Sequence, residues 1–404
     1  MIRQPTRNSS SFMKRHLLTA MFLISACAVQ AQRTTPVADI DAAKSGPPIS
    51  PYVYGQFLEH AGNLIYTAMW CEMLDDRKFY YAVQPKPAED PNATQREPGG
   101  FGGGRRRGVG PGRWNPIGPV DSVVMDTNSP FVGDQTPLIK LAGDEPRGIR
   151  QTGISLIEGK TYNGRIQLAG DSTAKVAINI VWGTGADAIR QSVVLGQLSA
   201  EYKKFTFTFQ AQKTGTAQIE IVGTGTGSFH VGAVSLMPDD NLNGWRPDAI
   251  AALKSLRSGV YRWPGGNFIS AHEWRNALGD PDKRPTVWDP VWRAIQPNDI
   301  GTDEFMTMCR LLEVEPYITV NAGTGDAWSA AEYVEYANGD ANTPMGKQRA
   351  ANGHPEPYQV KFWGIGNEAW GFSYQYGAMR LNQFESLLSR LVFDDRDFTI
   401  LKTG

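Results

Sequence analysis

Between about Thr127 and Pro238, apolar and polar residues alternate in short runs: KVAINIVW from Lys175, KKFTFTFQA from Lys203, AQIEIVG from Ala217 and SFHVGAVSLM from Ser228. Successive side chains of an extended chain point to opposite faces, so period two between glycine-rich turns predicts antiparallel strands. No stretch inside this block has helical spacing, which points to a β-sandwich of the jelly-roll type.

From Gly244 the period changes. GWRPDAIAALKSLR predicts an amphipathic helix and GVYRWPGGNF, from Gly259, a strand. TDEFMTMCRLLE predicts a helix capped by Thr302 with acids in its first turn, followed by the strand EPYITVNAGTG from Glu315. DAWSAAEYVEYAN and then VKFWGIGNEAWG repeat the sequence of helix and strand. Such alternation predicts a parallel sheet with helical crossovers. Near the amino end YVYGQFLEH, Tyr52 to His60, predicts a further strand. The expected fold class is α/β: a (β/α)₈ barrel, only its N-terminal half present, with an inserted all-β jelly-roll sandwich. The expected organisation is a leader over 1–32, the first barrel strand and its loops over 45–126, the sandwich over 127–238, and barrel strands two to four over 242–404.

Composition narrows the partners. The net charge of −1 gives no field that would steer the protein to nucleic acid or an anionic surface. Residues Met13 to Gln32 have the basic start, apolar run and small residues of a secretory leader, which predicts export. Ile24, Ser25 and Ala26 ahead of Cys27 resemble a lipobox, so a lipid anchor at Cys27 is an alternative to simple cleavage and the one predicted link to a membrane. Cys71 and Cys309 are then too few for a disulfide scaffold or a cysteine-rich metal site. GGFGGGRRRGVGPG, from Gly99, predicts a solvated loop despite its three arginines. The oligomeric state is left open.

The polar and glycine-rich residues gather at the carboxyl ends of the predicted strands: Gly265, Gly266 and Asn267; Asn321 and Gly323; Asn367 and Glu368. That rim is where barrels build their sites, and Glu59 and His60 would reach it from the first strand. Eight of the eleven tryptophans lie at or after Trp245, and Trp263, Trp274, Trp363 and Trp370 neighbour these strand ends. They predict either a sugar platform or a filled core. Glu368, beside Trp363, Ile365 and Trp370, sits in the apolar setting that keeps a carboxylic acid protonated for glycosidic cleavage. Asn367 would hold the sugar hydroxyl beside it. A structural ion pair with an arginine is the alternative for Glu368.

Five motifs, YGQFLEH, RWPGGNF, GTDEFM, YITVNAGTG and WGIGNEAWG, resemble the α-L-arabinofuranosidases of glycoside hydrolase family 51. The resemblance covers about 49–80 and 242 to the end, and the β-rich block resembles a family 4/9 carbohydrate-binding module. It implies Glu368 as general acid/base, and Glu59, Asn267 and Asn367 as substrate-binding residues. It further implies retaining release of terminal arabinofuranosyl groups from arabinose-containing polysaccharides or oligosaccharides, with no metal or other cofactor. The nucleophilic glutamate of that family belongs to a later strand. The expectation is therefore a truncated chain that does not turn over by itself. A β-xylosidase or endoglucanase, and a non-catalytic glycan-binding protein with a relic half barrel, are the alternatives.

Overall fold

A computed structural model of the 404-residue chain describes residues 38–41, 43–62, 64–85, 113–368 and 399–402. The predicted leader with Cys27, the Gly/Arg loop and Trp370 lie outside the described residues. From Ser50 onward the chain forms one compact unit.

In chain order the strands are β1 (Gln56–Phe57), β2 (Asn115–Ile117), β3 (Val123–Asp126), β4 (Thr136–Lys140), β5 (Gly143–Leu156) and β6 (Thr161–Gly170). Then come β7 (Lys175–Trp182), β8 (Ile189–Val194), β9 (Lys203–Gln210), β10 (Gly215–Gly225), β11 (Ser228–Pro238) and β12 (Val260–Trp263). The series ends with β13 (Val287–Asp289), β14 (Ala294–Gln296), β15 (Glu315–Val320), β16 (Phe362–Ile365) and β17 (Thr399–Lys402).

Strands β1, β12, β15, β16 and β17 pair in that order, all parallel. Helices Pro247–Ser255, Thr302–Leu312 and Ala327–Asn338, with a shorter one at Pro344–Ala351, carry the chain between them. The alternating pattern ended at a fourth strand; β17 adds a fifth. Parallel neighbours need such crossovers, and helices Thr302–Leu312 and Ala327–Asn338 pack Phe305, Met308, Tyr333 and Tyr336 into a core with Ile318, Trp363 and Ile365. The helix cap differs from expectation. Gly301 is the N-cap, its N–H donating to Glu304 Oε2 at 2.7 Å, while the Thr302 hydroxyl pairs with the Tyr333 hydroxyl at 2.8 Å. The predicted first strand is also mostly turn, since Pro51–Tyr54 is a 3₁₀ turn and only two residues pair.

The middle of the chain forms two antiparallel sheets, ordered β2-β5-β10-β7-β8 and β3-β4-β11-β6-β9. Ile149, Ile178 and Ile219 of the first meet Ile166, Phe207, Phe229 and Leu236 of the second in one core. Alternation produces this directly, because every second residue of each strand faces the partner sheet. The sheets take in two strands, β2 and β3, that precede residue 127, and Leu74, Phe79 and Trp114 pack into the same core.

The outer face of the second sheet rests on the loops of the parallel-sheet region through buried charges. Arg165 of β6 pairs with Asp282 at 2.9 Å, and Arg77 bridges Asp282 at 2.7 Å and Asp299 at 2.6 Å. Burial alone would push the Asp282 carboxyl up, but Arg77 and Arg165 hold it at about 2. The strands entering and leaving this middle region lie side by side: Trp70 bridges Trp245, Cys71 N donates to Gly244 O at 2.8 Å, and Arg246 N donates to Met69 O at 2.8 Å.

Candidate active site

The carboxyl ends of β1, β12 and β16 bring the predicted residues together. Beyond β1, Leu58 N still donates to Arg262 O at 2.8 Å, which holds Glu59 against the loop after β12. That loop is glycine for a steric reason. A Cβ on Gly266 would fall 2.2 Å from the Glu59 carboxyl carbon; one on Gly265, whose φ is +80°, would fall 2.1 Å from Leu58 O. The close approach lets Glu59 Oε1 accept from the Phe268 N–H at 3.1 Å and from the Trp292 indole at 3.0 Å.

A second set of contacts runs through amides. Arg262 of β12, in register with Tyr317 of β15, donates to Thr319 Oγ1 at 3.2 Å and to Asn367 Oδ1 at 2.6 Å. A guanidinium only donates, so the oxygen end of Asn367 must face it. Asn367 Nδ2 is thereby turned to donate to Asn267 Oδ1 at 3.1 Å, and Asn267 Nδ2 to Glu368 Oε2 at 2.8 Å. Each donor fixes the next amide, and the series ends on the carboxyl group. Glu368 is half-buried, with a φ of 44° two residues after Gly366 at 69°. Such left-handed backbone at a non-glycine residue is held by its surroundings and concentrates at functional sites. The ion pair considered for Glu368 is not formed among the described residues, since the nearby arginine binds Asn367 instead.

One open alternative is decided and two expectations change. Trp263, Trp274 and Trp363 are core residues, 2%, 4% and 0% exposed, and offer no sugar platform. His60 lies beneath the rim: it is buried, stacked on Phe268 at 4.8 Å, and accepts the Trp263 indole N–H on Nε2 at 2.9 Å. Burial, and secondarily His272, lowers its pKa to about 3, so the ring is neutral. Asn321 spends its side chain on its own loop, accepting from Gly323 N at 2.9 Å and donating to His272 O at 3.0 Å. The aromatic residue at the site is instead the exposed Trp292, which follows β13 and precedes β14. Nothing in the local pattern flags that hairpin. Arg262 lay inside the RWPGGNF motif without being read as part of the site.

Among the described residues the rim brings together the carboxyl groups of Glu59 and Glu368, the amides of Asn267 and Asn367, and the Trp292 indole on Glu59. Among the described residues no cluster of His, Cys, Asp or Glu is placed to hold a metal. The class is therefore a parallel-sheet α/β protein with a carboxylate-and-amide site at its strand ends. Residues 252–404 match the Alpha-L-arabinofuranosidase 1 domain. An α-L-arabinofuranosidase C from Emericella nidulans is 42% identical over 134 residues, 33% of this chain and 27% of the relative. An intracellular exo-α-L-arabinofuranosidase from Bacteroides ovatus is 37% identical over 165 residues, 41% of this chain and 31% of the relative. An arabinose-bound family GH51 α-L-arabinofuranosidase superposes with a TM-score of 0.67 at 17% identity, covering 87% of this chain and 58% of that one, and shares the fold. The chain is thus a homologue of α-L-arabinofuranosidases over part of its length; its matches span about a quarter to a third of these curated relatives.

Proposed function

We propose that this chain supplies the acid/base half of a retaining glycoside hydrolase that releases terminal α-L-arabinofuranosyl groups from arabinose-containing polysaccharides. The observation that carries the proposal is the Asn267 amide on Glu368, 2.8 Å away, at the rim that also holds Glu59. In this reading Glu368 protonates the departing glycosidic oxygen and then deprotonates the attacking water. Asn367 and Asn267 face the sugar hydroxyls nearest the cleaved bond, and Glu59 with Trp292 grips the far side of the ring. A retaining reaction needs a second carboxylate about 5 to 5.5 Å from the first, and the resemblance assigns it to a strand later than those described. The same reading closes the parallel sheet into an eight-stranded barrel, treats the antiparallel sheets as a carbohydrate-binding insertion, and places the protein outside the cytoplasm.

The test is Glu368→Gln in a polypeptide carrying both carboxylates. Cleavage of an arabinoside with a poor leaving group should collapse, while an activated nitrophenyl arabinofuranoside, which needs no proton for departure, should still form the covalent intermediate. Undiminished hydrolysis of the poor substrate would end the proposal. Faster hydrolysis of nitrophenyl xyloside than of the arabinofuranoside would reassign the sugar.

A further inference from the structure

A cleft of about 760 Å³ opens between the β5–β6 end of the antiparallel sheets and the segment 66–81 that follows β1. It is separate from the Glu59 and Glu368 rim, none of whose residues lines it. Its size falls within the range of small-molecule sites, ample for more than one sugar ring.

Its charges decide what could enter. Lys160 pairs with Asp240 at 3.0 Å, Arg113 with Asp75 at 3.4 Å, and Arg246 with Asp248 at 2.6 Å. Each of these cations on the lining therefore faces a carboxylate, and deeper in the wall Arg77 is held by Asp282 and Asp299. An anionic ligand would have to break one of these pairs and would also meet Asp76 on the lining, whose carboxyl is held by the Tyr80 and Tyr81 N–H groups at 2.8 and 2.9 Å and, among the described residues, by no cation. What the cleft offers an uncharged guest is different. The half-buried rings of Tyr66 and Tyr81 supply apolar faces, and the paired carboxylates and hydroxyls of Thr67, Thr152 and Ser155 supply acceptors and donors. Apolar ring faces beside densely spaced hydrogen-bonding groups match the amphipathic surface of a pyranose or furanose chain.

We infer that this cleft is an accessory binding site for a neutral oligosaccharide, built jointly by the antiparallel sheets and the segment after β1. It holds a polysaccharide chain beside the rim and takes no part in bond cleavage, so the inference stands whether or not Glu368 is the acid.

The experiment is calorimetric titration of the chain carrying Glu368→Gln with linear arabinohexaose and with xylohexaose, repeated with Tyr81→Ala, with Thr152→Trp and with Glu59→Ala. Thr152 is exposed, so the tryptophan blocks the cleft without disturbing a core. At least one hexasaccharide should bind in a mode that survives Glu59→Ala and weakens by about tenfold in Tyr81→Ala and Thr152→Trp. If binding is indifferent to both cleft variants, or vanishes with Glu59→Ala, the inference fails and the rim reading is untouched. Tighter binding of trigalacturonate than of the neutral hexasaccharides, lost on Thr152→Trp, would overturn the assignment of an uncharged ligand.

Discussion

Arg262 meets Asn367 Oδ1 at 2.6 Å, and because a guanidinium has no lone pair to offer, this contact sets the orientation of two amides and the hydrogen bond received by Glu368. Removing the first donor should therefore act at a distance. Arg262→Met, in a polypeptide carrying both carboxylates, should lower kcat in the same direction as Asn267→Ala. The two should not add when combined, because either one breaks the same series. Additive losses in the double-mutant cycle would show that Arg262 acts separately.

Asn267→Ala alone leaves the Glu368 carboxyl without its amide donor. Hydrogen bonds to charged groups are worth enough that a loss of about ten- to a hundredfold in kcat/KM is expected, with the melting temperature nearly unchanged. Steady-state kinetics on nitrophenyl arabinofuranoside, beside a thermal melt, checks both halves.

The two glycines of the loop after β12 should answer differently to alanine. At Gly266 the new methyl meets the far end of a flexible side chain, Glu59, which can swing away. Gly266→Ala should fold but raise KM as Glu59 leaves Phe268 and Trp292. At Gly265 the obstacle is the Leu58 carbonyl and the backbone already has φ +80°, so Gly265→Ala should lower the melting temperature. Equal melting temperatures for the two variants would contradict this geometry.

Acid should loosen the junction between the antiparallel sheets and the parallel-sheet region. Burial would raise the Asp282 carboxyl, but Arg77 and Arg165 overcome it and hold the folded pKa at about 2, below the ordinary 3.8 of an aspartate. Its contribution to stability is present above about pH 4 and is lost as pH falls through about 2. Asp282→Asn should remove this part of the pH dependence while lowering stability at neutral pH, because Arg77 and Arg165 keep their charges and lose a partner. Melting curves between pH 2 and 7 for both proteins test it.

Much of this architecture is written locally. KVAINIVW and KKFTFTFQ alternate strictly because their strands separate a core from solvent, and they appear as β7 and β9. β5 does not announce itself: GDEPRG opens it with charges, a proline and glycines, and it is a strand because β2 and β10 flank it on both edges. At the site, Glu59, Asn267, Asn367 and Glu368 were legible because they sit in short motifs at strand ends. Trp292 was not, since its role depends on the β13–β14 hairpin folding back toward Glu59. The tryptophans left two readings open for the same reason in reverse. Proximity in sequence to a strand end does not say on which side of the sheet a ring lies, and Trp263 and Trp363 lie inward.

The bridge between Trp70 and Trp245 has a bearing on whether the two halves can be parted. Because the outgoing and returning segments touch at Met69 to Cys71 and Gly244 to Arg246, the chain ends flanking the antiparallel sheets are already held together, whatever the length of the loop between them. Excision at that joint would still remove Arg77 and Arg165 and leave Asp282 and Asp299 buried without their guanidinium partners, so the two halves are tied by charge as well as by chain.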